Sequence, residues 1–289
     1  MHRARPKRRA RAVFTRLMSA FLRGAAVALM IATPAMMLPG VGRDTAEIVI
    51  LIALLSALLT TDEYAATYPS IVEFRDAPPF NRIRFLSLFL TVVLLSVVCR
   101  GKAEPTSLTI FVEAVGALVG QVMDFPYSPV RLMVLMLPET ASPEYVSLVR
   151  SAAGLAYLIS LLSLAVFVLF IRRGLWPAPS RGFNVWVNLP TFDPTAGGDV
   201  VDRLNRDARV NLALGLVLPF LIPAVAKAGA ILFSPVMLTS DHTLIWTVAA
   251  WAFLPASLFM RGIALGRVAD LIVERRRRGE DVAVGMIFV

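Results

Sequence analysis

Cysteine, histidine and charged residues are all scarce in this 289-residue chain. The single cysteine, Cys99, excludes an internal disulfide, and its place at the end of an apolar run predicts a buried, unreactive thiol. The two histidines, His2 and His242, are too few and too far apart to suggest a histidine-based metal site. We therefore expect no metal and no cofactor.

Motifs of known chemistry are missing as well. The sequence has no phosphate loop, no zinc-peptidase motif, no Gly-x-Ser-x-Gly nucleophile and no pair of histidines within helices that could ligate haem. It therefore indicates no catalytic residue.

Charged residues make up only 17% of the chain, against about a quarter in soluble domains. Hydrophobic residues make up 57%, and the mean hydropathy is +0.71. A soluble fold of this size could not bury so much apolar surface, whereas a bilayer can cover it. The composition predicts an all-α, multi-pass membrane bundle.

The net charge of +9 comes largely from arginines at the ends of apolar runs, where they act as topology signals and interfacial anchors. No motif for nucleic acid accompanies them. The first 43 residues contain no acid, and residues 1–20 form a basic segment. A signal or transit peptide can look similar, but Thr33-Pro34-Ala35 is a poor cleavage site, so an uncleaved first helix is the simpler interpretation. The Arg- and Ala-rich composition suggests a bacterial inner membrane.

Six apolar runs have the length of a membrane-spanning helix, which is about 20 residues. They lie near residues 21–38, 46–61, 83–99, 152–171, 212–235 and 243–265. Asp44 is the expected N-cap of the second helix. A seventh run, Ser107–Met123, is short and carries Glu113 near its middle, so it gives either a seventh span or an amphipathic or re-entrant helix within the segment 100–150.

The distribution of Lys and Arg decides between the two topologies. With six spans, 23 of the 29 basic residues lie on the side of the N-terminus and 5 on the other side; with seven spans the split is 13 to 15. We therefore predict six helices with both termini cytoplasmic, a basic tail over residues 266–289, and two long cytoplasmic loops, 62–82 and 172–209. Residues 183–188 alternate like a short strand. Charged helices are expected to continue into the fifth and sixth spans.

Lys227 is the sharpest candidate for a binding site. It lies in a strongly apolar helix after Pro219 and Pro223, and such broken helices line transport pockets. Glu113 could pair with it. The competing interpretation is that Lys227 snorkels to the interface, that Glu113 faces water, and that residues spaced by four drift around the helix by about 40° per step without sharing a face. We favour this second interpretation.

Several weaker patterns accompany these candidates. Asp241-His242 could bind a metal, but a helix N-cap by Ser240 or Asp241 is the simpler explanation for these residues. Two Gly-x-x-x-Gly matches indicate close helix packing, and Arg275–Arg278 could bind anionic lipid at the cytoplasmic face. The matches are Gly116 with Gly120 and Gly262 with Gly266.

Three functions fit this sequence, and they belong to different classes. The favoured one is a non-enzymatic assembly, scaffold or accessory subunit that docks a membrane partner through loops 62–82 and 172–209. The alternative is a small transporter or channel subunit that uses Lys227. The third is a lipid-modifying enzyme with a metal held by Asp193, Asp199 and Asp202.

Overall fold

The computed structural model describes residues 6–177, 183–193, 195, 197–232 and 240–287. This part of the chain is helical and contains no strand. The helices are α1 (Pro6–Met37), α2 (Arg43–Ala65), α3 (Phe80–Gly101), α4 (Ser107–Met123), α5 (Pro129–Leu135), α6 (Pro143–Arg172), α7 (Val185–Asn188), α8 (Val200–Leu232) and α9 (Asp241–Ile287).

Six of these helices, α1, α2, α3, α6, α8 and α9, are long and apolar enough to cross a membrane, which confirms the predicted fold class. They run further than the apolar windows in the sequence, because charged turns extend α1, α8 and α9 beyond their apolar parts. The predicted helical residues 233–235 lie outside the described residues. We call the end of the bundle where α2 ends and α3 begins the cap end, and the other end the far end.

The short helix α4 has the predicted bounds and does not add a seventh span. Its 17 residues are too few for a hydrocarbon core of about 30 Å. Thr109 in its first turn packs against Gly101 at the end of α3, and Gly120 near its end packs against the backbone of Arg150 in α6. Both ends of α4 therefore lie near the far end of the bundle.

Small residues let α4 approach α6 closely. A Cβ atom added to Gly154 of α6 would lie 2.6 Å from the Cα atom of Gly120, and one added to Gly116 would lie 2.9 Å from a methyl carbon of Leu155. The first Gly-x-x-x-Gly match is thus a packing motif, as predicted. In the second match only Gly262 has this role, against Ala208 of α8, whereas Gly266 has open space around it.

Two local predictions were wrong. Gly42 precedes α2 and Asp44 lies inside its first turn, so Asp44 is not the N-cap. Residues 185–188 form one helical turn, α7, in place of a strand. A further short helix follows α4, since Ser128 accepts the backbone N–H of Arg131 and starts α5.

Two of the weaker sequence predictions are confirmed. Ser240 accepts the N–H of Thr243 at the start of α9, and Cys99 is buried.

Asp124, just after α4, forms two ion pairs at the far end of the bundle. Its carboxylate oxygens lie 2.7 Å from Nε of Arg131 and 2.7 Å from Nε of Arg150, and its side chain is only 7% exposed. These ion pairs join α4, α5 and α6.

Candidate functional site

The two long loops at the cap end pack against each other. The N–H of Phe74 donates to the carbonyl of Asn188 over 2.7 Å, and the N–H of Asp76 donates to Oδ1 of the same residue over 3.0 Å. The indole Nε1 of Trp176 donates to the carbonyl of Ala77 over 2.8 Å. Residues 66–79 and the described part of residues 173–192 therefore form one folded unit, which we call the loop cap.

Aromatic rings fill the centre of the loop cap. Phe74, Phe80 and Trp176 are at most 1% exposed, and the ring centroids of Phe74 and Phe80 are 4.5 Å apart. Phe74 has φ of 52°, a left-handed conformation that is costly for a bulky residue. Burial of its ring and the hydrogen bond to Asn188 hold it there.

Buried charges fix the loop cap to the membrane helices. Glu63, in the last turn of α2, accepts the backbone N–H groups of Ser70, Ile71 and Val72 over 3.0–3.1 Å, and also the hydroxyl of Ser70. Arg75 donates in return to the carbonyls of Glu63 and Ala66, the last acceptors of α2. Both side chains are therefore structural.

A second anchor reaches the last helix. The guanidinium of Arg261 in α9 donates to both carboxylate oxygens of Glu73, over 2.6 and 2.8 Å. Thr191, from the other loop, donates to the same carboxylate over 2.9 Å. One acid thus joins both loops to α9.

Beneath the loop cap lies a pocket of about 990 Å³, which we call the cap pocket. This volume is at the upper end of the range for small-molecule sites. Helices α1, α2 and α3 form its walls, and the loop cap covers it through both loops, for example through Phe74 and Phe183. Its lining includes Arg23, Val27, Thr60, Tyr64, Asn81, Arg82 and Phe85.

The lining changes from polar to apolar with depth on two of the helices. On α1, Arg23 lies nearer the cap end and Val27 one turn deeper; on α3, Arg82 lies nearer the cap end and Phe85 deeper. One helical turn is about 5.4 Å. On α2, Tyr64 lies one turn above Thr60. The pocket therefore has a basic mouth and a less polar floor.

The charge of the mouth is positive. Arg82 is exposed and has no hydrogen bond or ion pair within the described residues. Arg23 lies over the ring of Tyr64, 4.6 Å from its centroid, and its other contacts are to Ser19 of its own helix. The acid that lines the pocket, Asp76, is paired with Arg75. An anion entering the mouth would meet Arg82 with its donors available.

The structure does not bring Lys227 and Glu113 together. Lys227 is near the far end of α8, and its Nζ atom lies 3.5 Å from the carbonyl of Leu137, just after α5. Glu113 is exposed on α4, and no ion pair between the two is present in the part of the chain that the structure describes. The position of Lys227 fits an interfacial anchor better than a mid-membrane pocket.

The two prolines of α8 are buried, and the carbonyl of Pro219 contacts Trp251 of α9. Pro219, Pro223 and also Asn211 and Gly215 are all buried, so residues spaced by four share a face after all. The expectation that residues spaced by four do not share a face was therefore wrong. Helices α8 and α9 pack over a long interface, where rows of residues spaced by four on one helix fit between those of the other.

The three acids proposed as metal ligands do not converge. Asp199 accepts the N–H of Val201 at the start of α8 and pairs with Arg276 of α9 over 2.7 Å. The Arg276 hydrogen bond and the backbone N–H of Val201 hold the pKa of Asp199 below its usual value. Asp193 bonds within its own turn. Across the described ranges, no group of three His, Cys, Asp or Glu side chains is placed to hold a metal ion.

The cap pocket was not predicted as a site. The sequence feature that comes closest to indicating it is the position of Tyr64 and Arg82. Tyr64 follows the apolar run before the first long loop, and Arg82 precedes the apolar run after it. Asn188 meets Asp76 across 112 positions of sequence, and no periodicity shows such a contact.

Comparison of the chain with protein-family models, curated proteins and solved structures finds no match.

Proposed function

We propose that this chain is a non-enzymatic accessory or scaffold subunit of a bacterial inner membrane, and that it binds an anionic ligand in the cap pocket. The observation that carries the proposal is the exposed guanidinium of Arg82, which has no partner among the described residues and lies at the mouth of a covered pocket of about 990 Å³. A guanidinium presents several donors to a carboxylate or phosphate, so an anion is the ligand that this mouth favours.

Binding is favoured over catalysis because the nearby acids already have partners. Glu63 holds three backbone N–H groups, Glu73 holds Arg261, and Asp76 pairs with Arg75. A general base needs a carboxylate or imidazole within hydrogen-bond reach of the ligand. The three acids are engaged in holding the loop cap, which supports a binding role.

We place the cap end in the cytoplasm together with both termini. The support is the excess of Lys and Arg on that side, 23 of 29 residues. A protein partner would then meet the outer surface of the loop cap, where Tyr68 and Ile71 are 72% and 70% exposed. The basic run Arg275–Arg278 would add attraction to anionic lipids of the same leaflet.

A charge-reversal experiment tests the pocket. The full chain is purified in mild nonionic detergent, and its melting temperature is measured with and without inorganic phosphate or citrate at constant ionic strength. A ligand that binds the folded state at 100 times its Kd stabilises it by about 2.7 kcal/mol. We expect this gain for the wild-type chain and its loss for Arg82→Glu.

Arg209→Glu is the matched control. Arg209 is an exposed arginine at the same end of the bundle, on α8 and away from the cap pocket. It should keep the wild-type gain. Equal gains in Arg82→Glu and Arg209→Glu, or no gain in the wild-type chain, would contradict the proposal.

A further inference from the structure

The cap pocket has an unclosed side. Helix α2 packs against α1, and within the described residues its backbone packs against no other helix. Its contact with α3 is made by side chains, since Tyr64 hydrogen-bonds to Asn81. Both α2 and α3 nevertheless line the pocket, through Thr60 and Tyr64 on one side and Arg82 and Phe85 on the other. Deeper than this hydrogen bond, the gap between the two backbones therefore opens the pocket toward the region that lipid occupies.

The exposed side chains of α2 and α3 at this level are apolar. Leu58 and Leu59 of α2 are 66% and 61% exposed, and Leu86 of α3 is 61% exposed. Side chains of this type are stable on a membrane-spanning helix only where hydrocarbon covers them. Toward the aqueous side, by contrast, Phe74, Ala77 and Pro78 of the loop cap lie over the pocket. The loop cap thus covers part of the aqueous side, and the gap between α2 and α3 gives a second route into the pocket, from lipid.

The order of residues along the opening matches an amphiphile in a bilayer. Arg23 and Arg82 lie at the level of the loop cap, where a head group resides, and Val27 and Phe85 lie one turn deeper, where an acyl chain begins. Basic pockets between membrane helices are known to hold anionic head groups. A free anion would use the mouth and leave the floor empty.

We propose that the ligand is an anionic phospholipid of the bilayer, which enters sideways between α2 and α3. Its phosphate contacts the guanidinium groups of Arg82 and Arg23, and its acyl chain passes Val27 and Phe85. This inference rests on the anion-binding function proposed above and names the class of ligand.

Photo-crosslinking from inside the pocket tests the inference. The full chain carries a benzophenone amino acid at Phe85 and is reconstituted in nanodiscs of phosphatidylcholine with a minor fraction of phosphatidylglycerol. After illumination, mass spectrometry measures which lipid is attached. The control probe replaces Leu214 of α8, which is 45% exposed and lies outside the pocket.

We expect the lipid captured at position 85 to be enriched in phosphatidylglycerol by about tenfold over the bilayer composition, the effect of one charge-assisted hydrogen bond. The lipid captured at position 214 should match the bilayer. Adding Arg82→Glu should abolish the enrichment at 85, whereas adding Arg209→Glu should leave it. Melting temperatures of the labelled proteins show that each is folded.

Two results overturn the inference, and they have different consequences for the proposed function. If inorganic phosphate stabilises the protein through Arg82 but the lipid captured at 85 matches the bilayer, the ligand is a soluble anion and only the inference fails. If neither phosphate nor phosphatidylglycerol depends on Arg82, the anion site itself is refuted.

Discussion

The indole Nε1 of Trp251 in α9 donates a 3.0 Å hydrogen bond to the backbone carbonyl of Pro219 in α8. In a regular helix this carbonyl would accept the N–H of residue 223, but Pro223 has none. The second proline thus frees the acceptor, and a buried tryptophan of the neighbouring helix satisfies it. The proline pair that suggested a transport pocket serves the contact between α8 and α9.

This relationship predicts a coupling between positions 251 and 223. Trp251→Phe keeps an aromatic ring against Tyr157 but leaves the carbonyl of Pro219 unsatisfied, which we expect to lower the unfolding free energy by about 0.6–2 kcal/mol. In a Pro223→Ala background the restored N–H bonds that carbonyl, so Trp251→Phe should cost less. Denaturation in mixed micelles measures the double-mutant cycle.

Trp246→Phe is the matched control, because Trp246 makes no hydrogen bond within the described residues. It should cost the same in both backgrounds. A Trp251→Phe cost that is equal with Pro and with Ala at position 223 would show that the two helices are not joined through this carbonyl.

The ion pair between Glu73 and Arg261 predicts how the loop cap is held. Glu73→Gln keeps the shape of the side chain and removes the charge, so one of two charge-assisted bonds is lost. We expect a loss of about 1–3 kcal/mol and faster proteolysis within residues 66–79. Glu274→Gln, which weakens a more exposed pair with Arg267, should cost less than about 1 kcal/mol. Equal protease resistance in all three proteins would exclude the anchoring role.

Close packing of α4 on α6 predicts opposite effects for two glycines. Gly154→Ala would place a Cβ atom 2.6 Å from the backbone of Gly120, so the helices must separate, at a cost of about 1–3 kcal/mol. Gly266→Ala meets no atom within 4 Å and should gain up to about 1 kcal/mol from helix propensity. Thermal unfolding compares the two. A neutral Gly154→Ala would mean that α4 is not seated on α6.

Lys227 gives a prediction that separates anchoring from transport. Its contact with the carbonyl of Leu137 is at the limit of hydrogen bonding, so Lys227→Met should change the unfolding free energy by less than about 1 kcal/mol. A complementation assay in a strain that lacks the protein should remain positive. A folded Lys227→Met protein that fails to complement would favour the transport alternative.

The fold class and the number of spanning helices were predictable from the sequence because lipid requires every span to be long and apolar. The run Ala152–Ile171, for example, is long enough and carries no charge. The short helix α4 was also predictable, since Ser107–Met123 carries an acid and too few residues. The distribution of arginines favoured six spans over seven, with α4 outside the set of spanning helices.

The site was not predictable in the same way. Arg82 and Arg75 look alike in sequence, yet Arg75 donates to the last carbonyls of α2, whereas Arg82 has no hydrogen bond or ion pair within the described residues. Only the fold of the loop cap makes that difference, through contacts such as Phe74 with Asn188 that lie far apart in the chain. The burial of Pro219 and Pro223 likewise depends on which elements pack against α8, and the residue pattern of α8 alone does not give its neighbours.

Topology tests the orientation of the bundle. An even number of spans puts both termini on one side, and we propose from the arginine excess that this side is the cytoplasm. Reporter enzymes that are active only outside the cytoplasm should be silent when fused to either terminus. Activity at one terminus would indicate an odd number of spans. Activity at both termini would show that the bundle has the opposite orientation in the membrane.

An experimental density map of the full chain in nanodiscs that contain phosphatidylglycerol would show whether a lipid occupies the cap pocket. We expect head-group density against the guanidinium of Arg82 beneath the loop cap, continuing as an acyl chain past Phe85 between α2 and α3. A cap pocket without such density, or α2 and α3 packed together so that no opening remains, would contradict the proposed lipid site.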